Sequence, residues 1–180
     1  MTSSTSEPCL TDTVLITDHG DHEWEFDFTR IDWDTLEVFH QAIDLWEVGD
    51  FSVAEKQYRQ LISDYPEFID VHHHLALLLN ETDREEEAFE IWQEIVAFGL
   101  SCFPAEFSID QDVLLWGMIE NRPFLRAYQG LGLALLDRGR VEEALAIFSN
   151  MLEMNPGDNQ GVRALAIGCH SSSWAPGRSS

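Results

Sequence analysis

Several groups of side chains in this chain are of types that could do chemistry. Asp18-His19-Gly20-Asp21-His22 gathers two imidazoles and two carboxylates, the ligand types that hold a divalent metal. The spacing matches no standard site closely, and a solvated acidic turn accounts for the same residues, so no metal site is expected. His72-His73-His74 are consecutive, so on a helix their side chains point about 100° apart and cannot meet on one ion. Cys169-His170 are adjacent rather than opposed, a poor geometry for a thiolate pair. Glu85-Glu86-Glu87 suit a helix start, where the macrodipole favours acids by about 0.3–1 kcal/mol each. There is no glycine-rich phosphate loop and no G-x-S-x-G elbow. The expectation is a non-enzyme with no catalytic residue, no metal and no cofactor.

Composition narrows the remaining classes. The 180 residues carry 33 acids against 10 bases, a net charge of −23, with 44% apolar residues. That apolar content supports a real core in one domain. The charge opposes contacts to nucleic-acid phosphates and to anionic membranes. No apolar run approaches the roughly 20 residues of a membrane span. Met1 to Leu10 lacks a basic n-region and an apolar h-region, so no secretory signal is expected. Cys9, Cys102 and Cys169 are odd in number and widely spaced, which suits free thiols in the cytoplasm. Residues 1–100 hold 24 acids and 4 bases, and residues 101–180 hold 9 and 6. Lys56 is the single lysine. Genome composition accounts for this bias, and so does adaptation to high salt, where an acidic surface stays soluble once screened.

Elements follow from a repeat. Ala54 and Ala88 are 34 apart, and Ala144 lies 56 further on; Tyr58, Trp92 and Phe148 keep the same offsets. Gly49 and Gly139 are 90 apart, as are Pro66 and Pro156. Three segments share the pattern, 35–68, 69–102 and 125–158, each reading as two helices. In the third, Tyr128, Leu131, Gly132 and Leu135 recur at helical spacing, Gly139 turns the chain, and Asn155-Pro156-Gly157 stops the second helix. Small residues at Ala42, Ala76 and Gly132 let paired helices approach closely, while Tyr58, Trp92 and Phe148 fill space between neighbouring pairs.

This pattern resembles the tetratricopeptide repeat. The third segment matches best, through Tyr128, Leu131, Gly132, Leu135, Gly139, Ala144, Phe148 and Pro156. The first has Gln41 where Leu is usual, and the second has Asp83 at the Gly position and Leu100 at the Pro position. The resemblance implies an all-α solenoid of helical hairpins over residues 34–170, with residues 159–170 as a capping helix.

Residues 103–124 are an insertion of 22 residues. Ser108-x-x-Gln111 has capping-box spacing, and Val113, Leu114, Trp116, Gly117 and Ile119 suggest a short inserted helix. The run Leu115-Trp116-Gly117-Met118-Ile119-Glu120-Asn121-Arg122-Pro123, with Asn155-Pro156-Gly157-Asp158-Asn159-Gln160-Gly161-Val162-Arg163, is similar to prokaryotic tetratricopeptide proteins related to the suppressor-of-tumorigenicity family. That likeness implies a fold and an intracellular setting, with no defined activity.

The resemblance further implies which residues line the concave groove. They are Leu36, Phe39, Ile43, Trp46 and Glu47; Asp70, His73, Leu77, Asn80 and Glu81; Arg126, Gln129, Leu133, Leu136 and Asp137; and, from the capping helix, Arg163. Arg126 and Arg163 could receive a carboxylate, or Glu120 and Asp158 could pair with them and staple the insertion. Chaperone-tail binders of the family present Lys and Asn where this chain has Phe39 and Ile43, then His73 and Leu77, so that mode is not expected. Residues 1–12 and 171–180 read as disordered. Residues 13–33 read as an acidic extended arm, where Trp24, Phe26 and Phe28 alternate with acids and Asp18–Asp21 could turn a hairpin. Packing of the arm on the first repeat is expected; a displaceable or partner-binding strand is the alternative. The expected function is a cytoplasmic protein-interaction module binding an apolar or basic peptide segment. The alternative is a structural unit whose groove is filled by its own arm or by a second copy as a homo-oligomer.

Overall fold

The computed structural model describes residues 13–170, so the disorder expected of 1–12 and 171–180, and the thiol of Cys9, lie outside the described residues. A two-stranded hairpin, β1 (Leu15–Asp18) and β2 (Trp24–Asp27), precedes seven helices. These are α1 (Trp33–Glu47), α2 (Phe51–Asp64), α3 (Ile69–Glu81), α4 (Glu85–Ser101), α5 (Arg122–Asp137), α6 (Val141–Met154) and α7 (Val162–His170). They pack in sequence order, each pair against the next, as a solenoid requires. None of them is long and apolar enough to cross a membrane.

Sequence explains the helix pairs directly. Asp32 caps α1 by accepting the Thr35 N–H at 2.9 Å. Ala42 and Ala76 are fully buried where the helices of a pair cross. A Cβ on Gly132 would stand 2.5 Å from Phe148, so only glycine fits that crossing. Tyr58, Trp92 and Phe148 are all buried; Tyr58 meets His74 and Trp92 meets Gly130 of the next pair, while Phe148 packs on Gly132 of its own pair. The turns inside the three pairs are alike: Gly49, Asp83 and Gly139 take φ of +87°, +59° and +72°. Asp83 therefore holds the left-handed conformation that the other two turns give to glycine. On the outer side, Arg84 donates to both oxygens of Glu55 at 2.9 Å, while Arg59 bridges Glu55 and Glu87, tying α2 to α4.

The insertion differs from expectation. It runs as turns over residues 103–118 and becomes helical only in a 3-10 turn at Ile119–Asn121. Its backbone is claimed by distant partners. Val113 N–H donates to His22 O at 2.8 Å, Trp24 N–H donates to Val113 O at 3.0 Å, and Leu114 N–H donates to Met154 O at 2.7 Å. A helix across Val113–Ile119 would claim the Val113 carbonyl for the Gly117 N–H and take it from Trp24. Ser108 caps nothing helical; its N–H donates to the Asp112 carboxylate at 2.7 Å.

The arm forms the expected hairpin, with Ile16 opposite Phe26 and Asp18 opposite Trp24. Its turn is Gly20–Glu23, two residues beyond the expected Asp18–Asp21: Glu23 N–H donates to Gly20 O at 2.9 Å, and Gly20 N–H donates back to Asp18 Oδ1 at 2.7 Å. Its main seat is the insertion and the start of α5, not the first repeat. Phe26 is fully buried, with ring centroids 5.1 Å from Phe103 and 5.3 Å from Phe124. Trp24 meets Phe107 edge-on at 6.0 Å. Asn121 then stands in for a third strand: its Oδ1 accepts Phe26 N–H at 3.1 Å and its Nδ2 donates to Trp24 O at 2.9 Å. Beyond the hairpin, Arg30 comes within 3.1 Å of the fully buried Glu67, just before α3.

Candidate functional site

The first helix of each pair, α1, α3, α5 and α7, supplies the expected groove positions, and the structure divides them into three kinds. Phe39 and His73 are core residues rather than groove surface. Phe39 is 3% exposed and packs on Phe68 and His74, with centroids 5.1 and 4.9 Å away. His73 is 7% exposed, and its Nδ1 accepts the Trp92 indole N–H at 3.2 Å. Burial, with His74 and Arg126 nearby, pushes His73 down to about 3, so the imidazole is neutral. Leu136 is likewise fully buried.

A second kind is tied to a neighbour. Trp46 donates its indole N–H to Glu81 at 2.7 Å, joining α1 to α3. Arg126 donates to Asp70 at 3.2 Å, and Arg163 lies 3.9 Å from Asp158. The two arginines therefore each face their own carboxylate and form no shared cationic spot. Asp158 is the expected partner of Arg163, while Asp70, not Glu120, holds Arg126. Gln129 and Gln160 bond each other, with Gln160 Nε2 donating to Gln129 Oε1 at 2.9 Å.

The third kind is open apolar or polar surface: Ile43 and Leu77 half-buried, Asn80 exposed, and Leu133 38% exposed. Ile167 on α7, 64% exposed, belongs with them although it was not among the expected groove residues. It follows Leu133 by 34 residues, as Leu77 follows Ile43, so the repeat period could have found it. Ile43, Leu77, Leu133 and Ile167 thus give each first helix one aliphatic side chain at the same register.

One end of this surface is walled. The arm, the insertion and the N-terminal ends of α3 and α5 enclose a cleft of about 530 Å³. Phe28, Ile31, Leu36 and Phe68 line it, with Asp27, Asp70, Glu120 and Arg126 among the polar groups. Burial raises the Glu120 carboxyl above its ordinary value, and the carboxylates of Glu25, Asp27 and Asp70 add to the shift. Glu120 and Asp27 have no ion-pair partner among the described residues. Neither Glu120 nor Asp27 stood out in the sequence as a groove residue, because the arm and insertion that bring them there lie outside the repeat pattern.

The other reactive types are dispersed. His72 Nε2 lies 2.9 Å from Pro66 O, His74 Nδ1 lies 2.8 Å from Asp70 O, and His73 faces Trp92, so the three imidazoles have three separate partners. His22 lies 2.9 Å from Asp112, and His19 lies 2.9 Å from Glu25, which splits the acidic-turn cluster. Burial pushes the Cys169 thiol up, away from the thiolate.

A family model described as tetratricopeptide repeat matches residues 39–99 and 119–159. No curated protein sequence matches the chain. Among solved structures, it is similar to the first TPR of Spaghetti (RPAP3) bound to the HSP90 peptide SRMEEVD, with a TM-score of 0.56 and 16% identity. That likeness covers 75% of this chain and 91% of the other. It is also similar to the Sgt2 TPR domain from Aspergillus fumigatus, with a TM-score of 0.53, 13% identity, and coverage of 83% and 89%. At these identities the likeness is one of fold.

Proposed function

The chain belongs to the tetratricopeptide repeat family, and from that premise we propose that it is a non-catalytic protein-interaction module holding an apolar segment of a partner protein in its concave groove. The observation that carries this reading is the row Ile43, Leu77, Leu133 and Ile167, aliphatic side chains on four first helices that become more exposed toward α7. A partner's apolar side chains laid across that row would leave water together with it, which is how helix-in-groove recognition gains its affinity. The acidic HSP90 peptide of the RPAP3 complex is a poor template for the ligand. Here the groove carries Asp70, Glu47, Glu81 and Asp137, and its two arginines already face carboxylates. The arm's aromatic face is occupied by Phe103, Phe107 and Phe124, which argues against self-filling of the row by that arm.

The test is selection of 16-residue peptides from a displayed library on the full chain, followed by fluorescence anisotropy. Leu133→Asp and Ile167→Asp should each weaken binding at least tenfold; Ile167→Asp, at the more exposed position, should leave the melting temperature within a few degrees, and Leu133→Asp should lower it further. Peptides that bind both variants as well as wild type would refute the groove. Light scattering across concentration tests the homo-oligomer alternative, which needs mass to rise with concentration and Ile167→Asp to reverse it.

A further inference from the structure

We propose that the walled cleft at the arm end of the groove is a pocket for a cationic side chain, an arginine or lysine carried by the bound segment. This inference rests on the groove reading above and names the residue the segment must bring.

The cleft is built where two parts of the chain outside the repeat meet its first helices. Asp27 comes from the arm, Glu120 from the insertion and Asp70 from α3. Three elements remote in sequence therefore deliver carboxylates to one space of about 530 Å³. Among the described residues, Arg126 is the one Lys or Arg lining it, and Arg126 is already bound to Asp70 at 3.2 Å. Asp27 and Glu120 have no cationic partner among the described residues, which leaves the described lining with a negative excess. Desolvation raises the Glu120 carboxyl above its ordinary value, and the carboxylates of Glu25, Asp27 and Asp70 add to the shift.

Thr29 and His40 add two further polar side chains, and the rest of the lining is apolar. Phe28, Ile31 and Leu36 offer a wall for an aliphatic stem beside the carboxylates that would take its head. That division matches arginine and lysine, whose methylenes pack on apolar surface while the charge stays with polar groups. It does not match an acidic ligand, which the carboxylates would repel, nor a wholly apolar one, which would cover two exposed carboxylates without pairing them. A guanidinium bridging Asp27 and Glu120 would gain charge-assisted hydrogen bonds in a place that excludes part of the solvent. Arg126 beside Asp70 is the chain's own example of the same pairing.

The first probe is a matched pair of small molecules, butylguanidinium and N-butylurea, which share shape and differ in charge. Both are titrated into the full chain while amide signals of Ile69, Glu120 and Arg126 are followed by NMR. Butylguanidinium should bind about tenfold tighter than N-butylurea, and Asp27→Asn with Glu120→Gln should erase the difference. Both substitutions keep side-chain size at exposed positions, so an unchanged melting profile confirms that the fold survives. Equal binding of the two molecules, or a preference that persists in the double variant, overturns the pocket. A second measurement separates this outcome from failure of the groove. Peptides selected on the full chain are remade with norleucine in place of each Arg and Lys. Loss of about tenfold in affinity on wild type, and none on the double variant, supports the pocket. Peptides that need Leu133 yet tolerate norleucine overturn the pocket and leave the groove standing. Peptides indifferent to Leu133 and Ile167 overturn the groove, and the small-molecule pair then decides the cation preference alone.

Discussion

His73 sits at a register where the repeat pattern assigns a groove residue, yet its imidazole belongs to the core. The cause is Trp92, whose indole N–H needs an acceptor once buried and finds His73 Nδ1. Nothing in the local sequence announces that pairing, because it crosses from α3 to α4; Phe39 left the surface for the same kind of reason, through Phe68 and His74. The burial has a measurable sign. His73 titrates at about 3 in the folded chain against an ordinary 6.5, so the unfolded chain takes up the proton first. Its contribution to stability is whole above pH 6.5 and is lost as pH falls from there toward 3, at up to about 1.4 kcal/mol per pH unit. His73→Leu should therefore have two effects. At pH 7.5 it leaves the Trp92 N–H without an acceptor and costs about 1–3 kcal/mol. Between pH 6.5 and 5 its stability should fall less steeply than that of wild type, with His72, which burial also pushes down, keeping part of the slope. Urea midpoints at pH 7.5, 6.5 and 5.5 measure both, and an unchanged slope would contradict the burial of a neutral His73.

The helices are the elements most legible in the sequence, because 34-residue spacing and small-residue crossings are local signals that the core obeys. Asp83 is a legible exception. The pattern marks it as the residue standing where glycine is usual, and the structure gives it φ +59° beside +87° and +72° at Gly49 and Gly139. A non-glycine residue there carries steric cost, though less for Asp than for most. Asp83→Gly should stabilise the chain by about 0.5 kcal/mol, since relief of that strain exceeds the entropy that glycine adds to the unfolded state. A thermal melt that shows a loss of 1 kcal/mol or more would mean that the Asp83 side chain has a role its turn geometry does not reveal. The insertion was illegible for the opposite reason. Val113 and Leu114 carry an apolar pattern that suits a short helix, but their backbone partners, His22, Trp24 and Met154, lie about 40 to 90 positions away. The cleft inherited that blindness, since two of its three carboxylates ride on the arm and the insertion.

Across the whole molecule, a net charge of −23 is repulsive, and the excess lies in the first 100 residues. Screening should therefore stabilise the fold, with the urea midpoint rising between 50 mM and 1 M sodium chloride. A falling midpoint would mean that the exposed network of Glu55, Arg59, Arg84 and Glu87 outweighs the general repulsion. Repeat arrays fold by contacts between neighbours, and most of this chain does so. The hairpin does not: Phe26 and Trp24 reach their seat on Asn121 across a separation of 95 and 97 residues. During synthesis the hairpin is therefore made first and seated late. It must wait, with its aromatic face uncovered, while α1 through α4 emerge and the ribosome moves beyond Asn121. That interval is when nascent chains most need a chaperone's cover or a slowed ribosome.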